Sequence, residues 1–128
     1  MLFHVNPSSG VPIYLQIEAQ IKNAIAAGAL KREQALPSVR KLAGDLGINP
    51  NTVAKAYQNL EREGVISTVP GGGTFVADSR PRFLKSERVR RMQPYARQIA
   101  VEGIQLGLTE AEILDLVREE LAKLEVHR

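Results

Sequence analysis

Cysteine is absent from the 128 residues, which excludes a disulfide framework and a thiolate metal site and removes any sign of selection for an oxidising compartment. No stretch approaches the roughly 18 apolar residues that a membrane span needs. The opening residues Met1-Leu2-Phe3-His4-Val5-Asn6-Pro7 lack the basic run followed by an apolar segment that marks an export signal. Cytoplasmic residence with no membrane partner is therefore expected. His4 and His127 stand near opposite ends with no ligand-spaced partner, and no nucleophile and base are paired. No metal, no cofactor and no enzymatic activity are expected. The run Pro70-Gly71-Gly72-Gly73 is not followed by Gly-Lys-Ser or Gly-Lys-Thr, and it lies between strand-like segments, so it is a turn rather than a phosphate loop.

What remains is an ordinary globular composition, 44% hydrophobic and 24% charged, with a mean hydropathy of -0.15. That is enough for one domain of about 100 to 200 residues or a small domain with an appendage. The net charge of +3 is unevenly spread. Arg80, Arg82, Lys85, Arg88, Arg90, Arg91 and Arg97 face a single Glu87 between residues 79 and 97. Such a block can meet phosphates, although a solvated linker and helix face is the more common use. The last segment carries Glu110, Glu112, Asp115, Glu119, Glu120 and Glu125 and should point away from a polyanion.

Apolar periodicity divides the chain. Tyr14, Ile17, Ile21, Ala24 and Ile25 form one face of a helix over 11–27, with Pro12 in its first turn and Gly28 at its end. Residues 29–36 have no period and form a connector, with Leu30 and Leu36 tucked into the core. Ser38 caps a short second helix whose stripe is Val39, Leu42, Ala43 and Leu46, and Gly47 ends it. Asn49 as N-cap and Pro50 at the first helical position start a third helix almost at once, running to about Glu63 with Val53, Ala56, Tyr57 and Leu60 inward. Strand-type alternation follows in Val65 to Val69 and Thr74 to Val76, a β-hairpin around the glycine turn. Ser79 to Pro81 is a linker.

Beyond it, Val89, Met92, Ala96, Ile99, Gly103 and Leu106 alternate steps of three and four, the seam of a helix that packs lengthwise on another. Pro94 should bend that helix or mark an irregular start. Thr109 and Glu112 form a capping box, and Leu108 and Ile113 are spaced for a staple. The final helix presents Ile113, Leu114, Val117, Leu121 and Leu124. About fifty residues cannot close a core around two such stripes, so a second copy of the chain is the expected cover, through Val89, Met92, Ala96, Ile99, Gly103, Leu106, Ile113, Val117 and Leu121.

The fold class expected is mainly α with a small β-hairpin: a winged helix-turn-helix over 1–78 and a two-helix dimerisation tail over 79–128. The third helix of such a unit is sized for the major groove of B-DNA. Its first turn presents Asn49, Asn51 and Thr52, with Lys55 one turn on, suited to base edges, a guanine or a phosphate. Asn49 is better explained as a cap. Arg40 lies on the polar side of the second helix, where its planar fork suits guanine or phosphate.

These motifs resemble the GntR family of bacterial transcription regulators. The resemblance is carried by Leu36-Pro37-Ser38-Val39-Arg40-Lys41-Leu42-Ala43, Asn49-Pro50-Asn51-Thr52-Val53, Leu60-Glu61-Arg62-Glu63-Gly64-Val65-Ile66 and Gly73-Thr74-Phe75-Val76. It covers residues 11–77, and the leader Pro12-Ile13-Tyr14-Leu15-Gln16-Ile17 with the short tail resembles the YtrA-type branch, which lacks a larger effector domain. The resemblance implies operator binding as a homodimer on an inverted repeat of double-stranded DNA, usually to repress. It also implies contacts from Arg40, Asn51 and Thr52 and a wing lying by the minor groove. Ser38, Asn49, Lys55, Gly72 and Gly73 complete the candidate interface. Two departures stand out. Gly72 occupies a wing position where relatives often carry a long polar side chain, leaving only the amides of Gly72 and Gly73 to approach a phosphate. Glu33 stands where relatives tend to have glycine, so another loop path is expected there.

Two other classes compete: a winged helix that docks a protein without DNA, and a switch holding a small-molecule effector between tail and winged domain, of unknown identity. Strong salt dependence of duplex binding separates the first from a DNA reader.

Overall fold

The computed structural model describes residues 3–78 and 83–125. Within them α1 (Ile13–Ala26), β1 (Ala35–Leu36), α2 (Val39–Leu46), α3 (Pro50–Arg62), β2 (Ile66–Val69), β3 (Gly73–Val76), α4 (Lys85–Gln105) and α5 (Glu110–Glu125) follow in order. Contacts group them into two units, Met1–Arg80 and Pro81–Arg128. Ser79, Arg80, Pro81, Arg82 and His127, singled out above, lie outside the described residues. No helix among the described residues is long and apolar enough to cross a membrane.

In the first unit the apolar stripes converge. Ile17 and Ile21 of α1, Leu42 and Ala43 of α2, and Val53, Ala56, Tyr57 and Leu60 of α3 are buried together with Leu30, Leu36, Ile66 and Val76. Phe3, which periodicity does not flag, joins the same core. Its segment is strapped to α1 by two glutamines one turn apart. The Asn6 amide donates to Gln16 Oε1 at 2.8 Å and the His4 amide to Gln20 Oε1 at 3.1 Å. Each glutamine returns its own N–H to that segment's carbonyls.

The helix ends follow their capping chemistry. Ser38 Oγ accepts from the Lys41 amide at 3.1 Å, and Asn49 Oδ1 accepts from the Asn51 amide at 2.8 Å. Gly47 takes φ 69°, a left-handed conformation that a Cβ would oppose. That reversal lets the Ile48 amide reach back to the Ala43 carbonyl at 3.0 Å, so α2 stops and α3 starts within three residues.

The connector over 29–36 is not wholly irregular. Ala35 and Leu36 pair antiparallel with Phe75 and Thr74, so the hairpin becomes a three-stranded sheet in the order β1-β3-β2. A two-residue strand has no period to detect; its existence depends on a partner forty residues away. Glu33 also departs from expectation. It adopts φ 66° itself, so the loop closes through a left-handed residue although no glycine is present, and the Glu33 amide still donates to the Val76 carbonyl at 2.9 Å. A side chain in that region costs about 1 to 2 kcal/mol. Glu33→Gly relieves that strain and adds entropy to the unfolded chain. A net gain of about 0.5 to 1 kcal/mol is expected in urea unfolding, and a lower midpoint would refute the strain.

In the second unit, α4 runs helical straight through Pro94, so the proline neither starts nor ends it. The capping box of α5 forms in both directions. The Thr109 amide donates to Glu112 Oε1 at 2.8 Å, and the Glu112 amide donates to Thr109 Oγ1 at 3.2 Å. The Thr109 amide, followed by its hydroxyl, holds the Glu112 carboxyl below its ordinary value. Gly103 is buried under Ile113, so close that a Cβ there would lie 2.4 Å from Ile113 Cδ1. The helices of this hairpin therefore meet at a glycine.

Candidate nucleic-acid interface

Three side-chain contacts hold α3 on its inner sides. The Tyr57 hydroxyl donates to the Pro37 carbonyl at 2.7 Å, tying α3 to the start of α2. Burial pushes that phenol up to about 12, so it stays a donor through any physiological pH. Asn59 Nδ2 donates to Glu18 Oε2 at 3.0 Å, and Lys22 pairs with Glu63 at 3.2 Å, both toward α1. With 3.6 residues per turn, the side opposite Val53, Ala56, Tyr57 and Leu60 carries Asn51, Lys55, Gln58 and Arg62. All four are exposed.

The exposed row of α3 thus extends beyond the residues named from the sequence. Gln58 and Arg62 continue the row at steps of three and four, a signal carried by the spacing of α3 beyond its first turn. Arg62 donates to Asn59 Oδ1 at 2.9 Å. Thr52 is only half-buried rather than fully outward, and its amide donates to the Asn49 carbonyl at 3.0 Å.

Arg40 is exposed on α2, away from buried Leu42 and Ala43, and no hydrogen bond or ion pair engages it among the described residues. Its neighbour Lys41 is held by Asp45 at 3.2 Å. Ser38 and Asn49 are both exposed, yet their side-chain oxygens are occupied as helix caps. Lys55 is not a free-swinging lysine. Its ammonium lies 4.0 Å from the centroid of the Tyr14 ring on α1.

At the wing, the Gly72 amide donates to the Val69 carbonyl at 2.8 Å. That N–H is spent inside the turn rather than left open, and Gly73 pairs with Val69 at the end of the β2–β3 ladder. A Cβ on Gly72 would come within 2.9 Å of Val69 Cγ1.

The residues assigned to self-association lie in the second unit. Val89, Met92, Ala96, Ile99, Leu106, Val117 and Leu121 are exposed, with Leu106 at 75% and Ile99 at 46%. Ile113 is half-buried and Gly103 buried, the two meeting within the hairpin. On α4, Glu87 pairs with Arg90 and, at 3.3 Å, with Arg91. Arg91 also stacks 3.7 Å from the Phe83 ring centroid.

The model of the bacterial regulatory proteins, gntR family, matches residues 13–76. The HTH-type transcriptional repressor YtrA of Bacillus subtilis (strain 168) is 34% identical over 118 residues, covering 92% of this chain and 91% of its own. Among solved structures, a transcriptional antiterminator from Listeria monocytogenes EGD-e superposes with a TM-score of 0.79 at 36% identity, covering 94% of this chain and 90% of its own. The DNA-binding domain of AraR in complex with operator ORX1 superposes with a TM-score of 0.53 at 32% identity, over 59% of this chain and 96% of its own.

Proposed function

The chain belongs to the gntR family of bacterial regulatory proteins, and from that premise we propose that it is a DNA-binding transcription regulator that inserts α3 into the major groove of its operator. The observation that carries this is the division of α3. Tyr57, Val53, Ala56 and Leu60 lock one side into the core, while Asn51, Lys55 and Gln58 stand exposed on the other. Amide and ammonium groups in that row match the donor and acceptor patterns of base edges and phosphates. Arg40 approaches from α2 with its guanidinium uncommitted.

In this reading residues 1–78 are the DNA-binding domain and residues 79–128 the dimerisation tail. The exposed Met92, Ile99, Leu106, Val117 and Leu121 form apolar surface that a monomer rarely leaves in water. A second copy, related by a twofold axis, covers it and places two α3 helices on an inverted repeat, half-site centres about 10 bp apart or a multiple of that. Occupying such a site obstructs transcription, so repression is the proposed outcome, and the cytoplasm is the proposed place of work.

The test is binding to a duplex selected from random DNA, measured across a salt series. A protein that neutralises phosphates releases counterions, so log K falls linearly with log salt, by about 0.9 per phosphate contact. Affinity that does not change with salt, or no binding to any duplex, would instead favour a winged helix that docks protein.

A further inference from the structure

The Lys55 ammonium sits over the Tyr14 ring at 4.0 Å, and one turn along α3 Asn59 is bonded to Glu18 of α1. Helix α1 thus runs along one flank of α3, and Lys55 leans toward that flank instead of along the middle of the exposed row. The middle of a helix in the major groove meets base edges; its flank meets the sugar-phosphate wall. A cation resting on an aromatic face uses its charge there, and its N–H bonds that point away from the ring stay available to a phosphate oxygen. An unrestrained lysine also loses rotamer freedom when it is immobilised. The ring imposes part of that restriction before DNA arrives.

We propose that Tyr14 is a positioning residue that holds the Lys55 ammonium for a backbone phosphate at the groove edge, so that this pair sets affinity and not base preference. The inference rests on the DNA-binding reading above and removes the choice between guanine and phosphate for Lys55.

The experiment measures dissociation constants over a salt series, on the selected operator and on a scrambled duplex of equal length, for the full chain and for Tyr14→Leu, Tyr14→Phe, Lys55→Met and Tyr14→Leu/Lys55→Met. Tyr14→Leu is expected to weaken both duplexes about 3-fold, the scale of an exposed cation–π contact, while Tyr14→Phe, which keeps the ring, stays near the parent. Lys55→Met lowers the salt slope by about 0.9 and leaves the operator-to-scrambled ratio unchanged. Adding Tyr14→Leu to Lys55→Met costs nothing further. Additive losses in the double variant overturn the positioning role. A changed operator-to-scrambled ratio in Lys55→Met overturns the phosphate assignment, and this arm decides even where Tyr14→Leu loses helical content. Failure of the unsubstituted chain to bind either duplex removes the DNA-binding reading itself, an outcome separate from additive losses in a chain that binds.

Discussion

Ile99→Asp is expected to reduce the protein to a single chain of 14.1 kDa in sedimentation, and with it to lower operator affinity by about 100-fold or more. Ile99 is 46% exposed on α4, in the row with Val89, Met92 and Ala96. In the proposed dimer a twofold interface doubles each change, so one substitution places two carboxylates in apolar contact. Burying an unpaired carboxylate costs far more than one aliphatic contact contributes. Losing the dimer then removes the second half-site, and linked binding of two sites is worth about 10²- to 10⁴-fold in avidity. Circular dichroism should keep its helical amplitude in the first unit, because Ile99 belongs to the second. Should a dimeric parent and the variant sediment alike, self-association uses another surface; a parent that sediments as a single chain removes the proposed dimer.

Arg40→Ala is expected to weaken operator binding by about 1 to 3 kcal/mol, roughly 5- to 150-fold. Lys41→Ala supplies the contrast. Both side chains are exposed cations on α2, adjacent in sequence, yet Lys41 is already paired with Asp45 and Arg40 has no partner among the described residues. If charge alone governed binding, the two losses would be similar, since each removes one positive charge. If the guanidinium makes a specific contact, Arg40→Ala dominates, and a base contact further relaxes selectivity at one operator position. Equal losses from both variants, read by fluorescence anisotropy on the operator, would reject the specific contact.

Much of the DNA-binding unit is legible in the residues because local chemistry and global packing agree there. Ser38, Gly47, Asn49 and Pro50 punctuate α2 and α3 by rules that act within a few residues, and the apolar steps in α3 name its buried side. What stays hidden is what depends on distant partners. The strand at Ala35–Leu36 exists because β3 returns beside it. Phe3 is buried because Gln16 and Gln20 strap its segment down, and no periodicity marks either event. In the interface, the spacing already contained Gln58 and Arg62, but only the contact with Tyr14 reveals that Lys55 leans to one flank. The amide of Gly72 illustrates the opposite limit. The residues suggest an open donor, and the turn hydrogen bond to Val69 closes it. The seam in the tail mixes two kinds of position, since Gly103 faces Ile113 in its own chain while Ile99 and Leu106 stay exposed.

The pairing of Ala35 and Leu36 with Phe75 and Thr74 ends one residue short of Pro37, whose carbonyl receives the Tyr57 hydroxyl. The strand beside the wing therefore runs directly into the residue at the base of α2 that the Tyr57 phenol of α3 holds. The hairpin, the arginine-bearing helix and α3 are thus joined at one proline, a single framework and not three separate pieces.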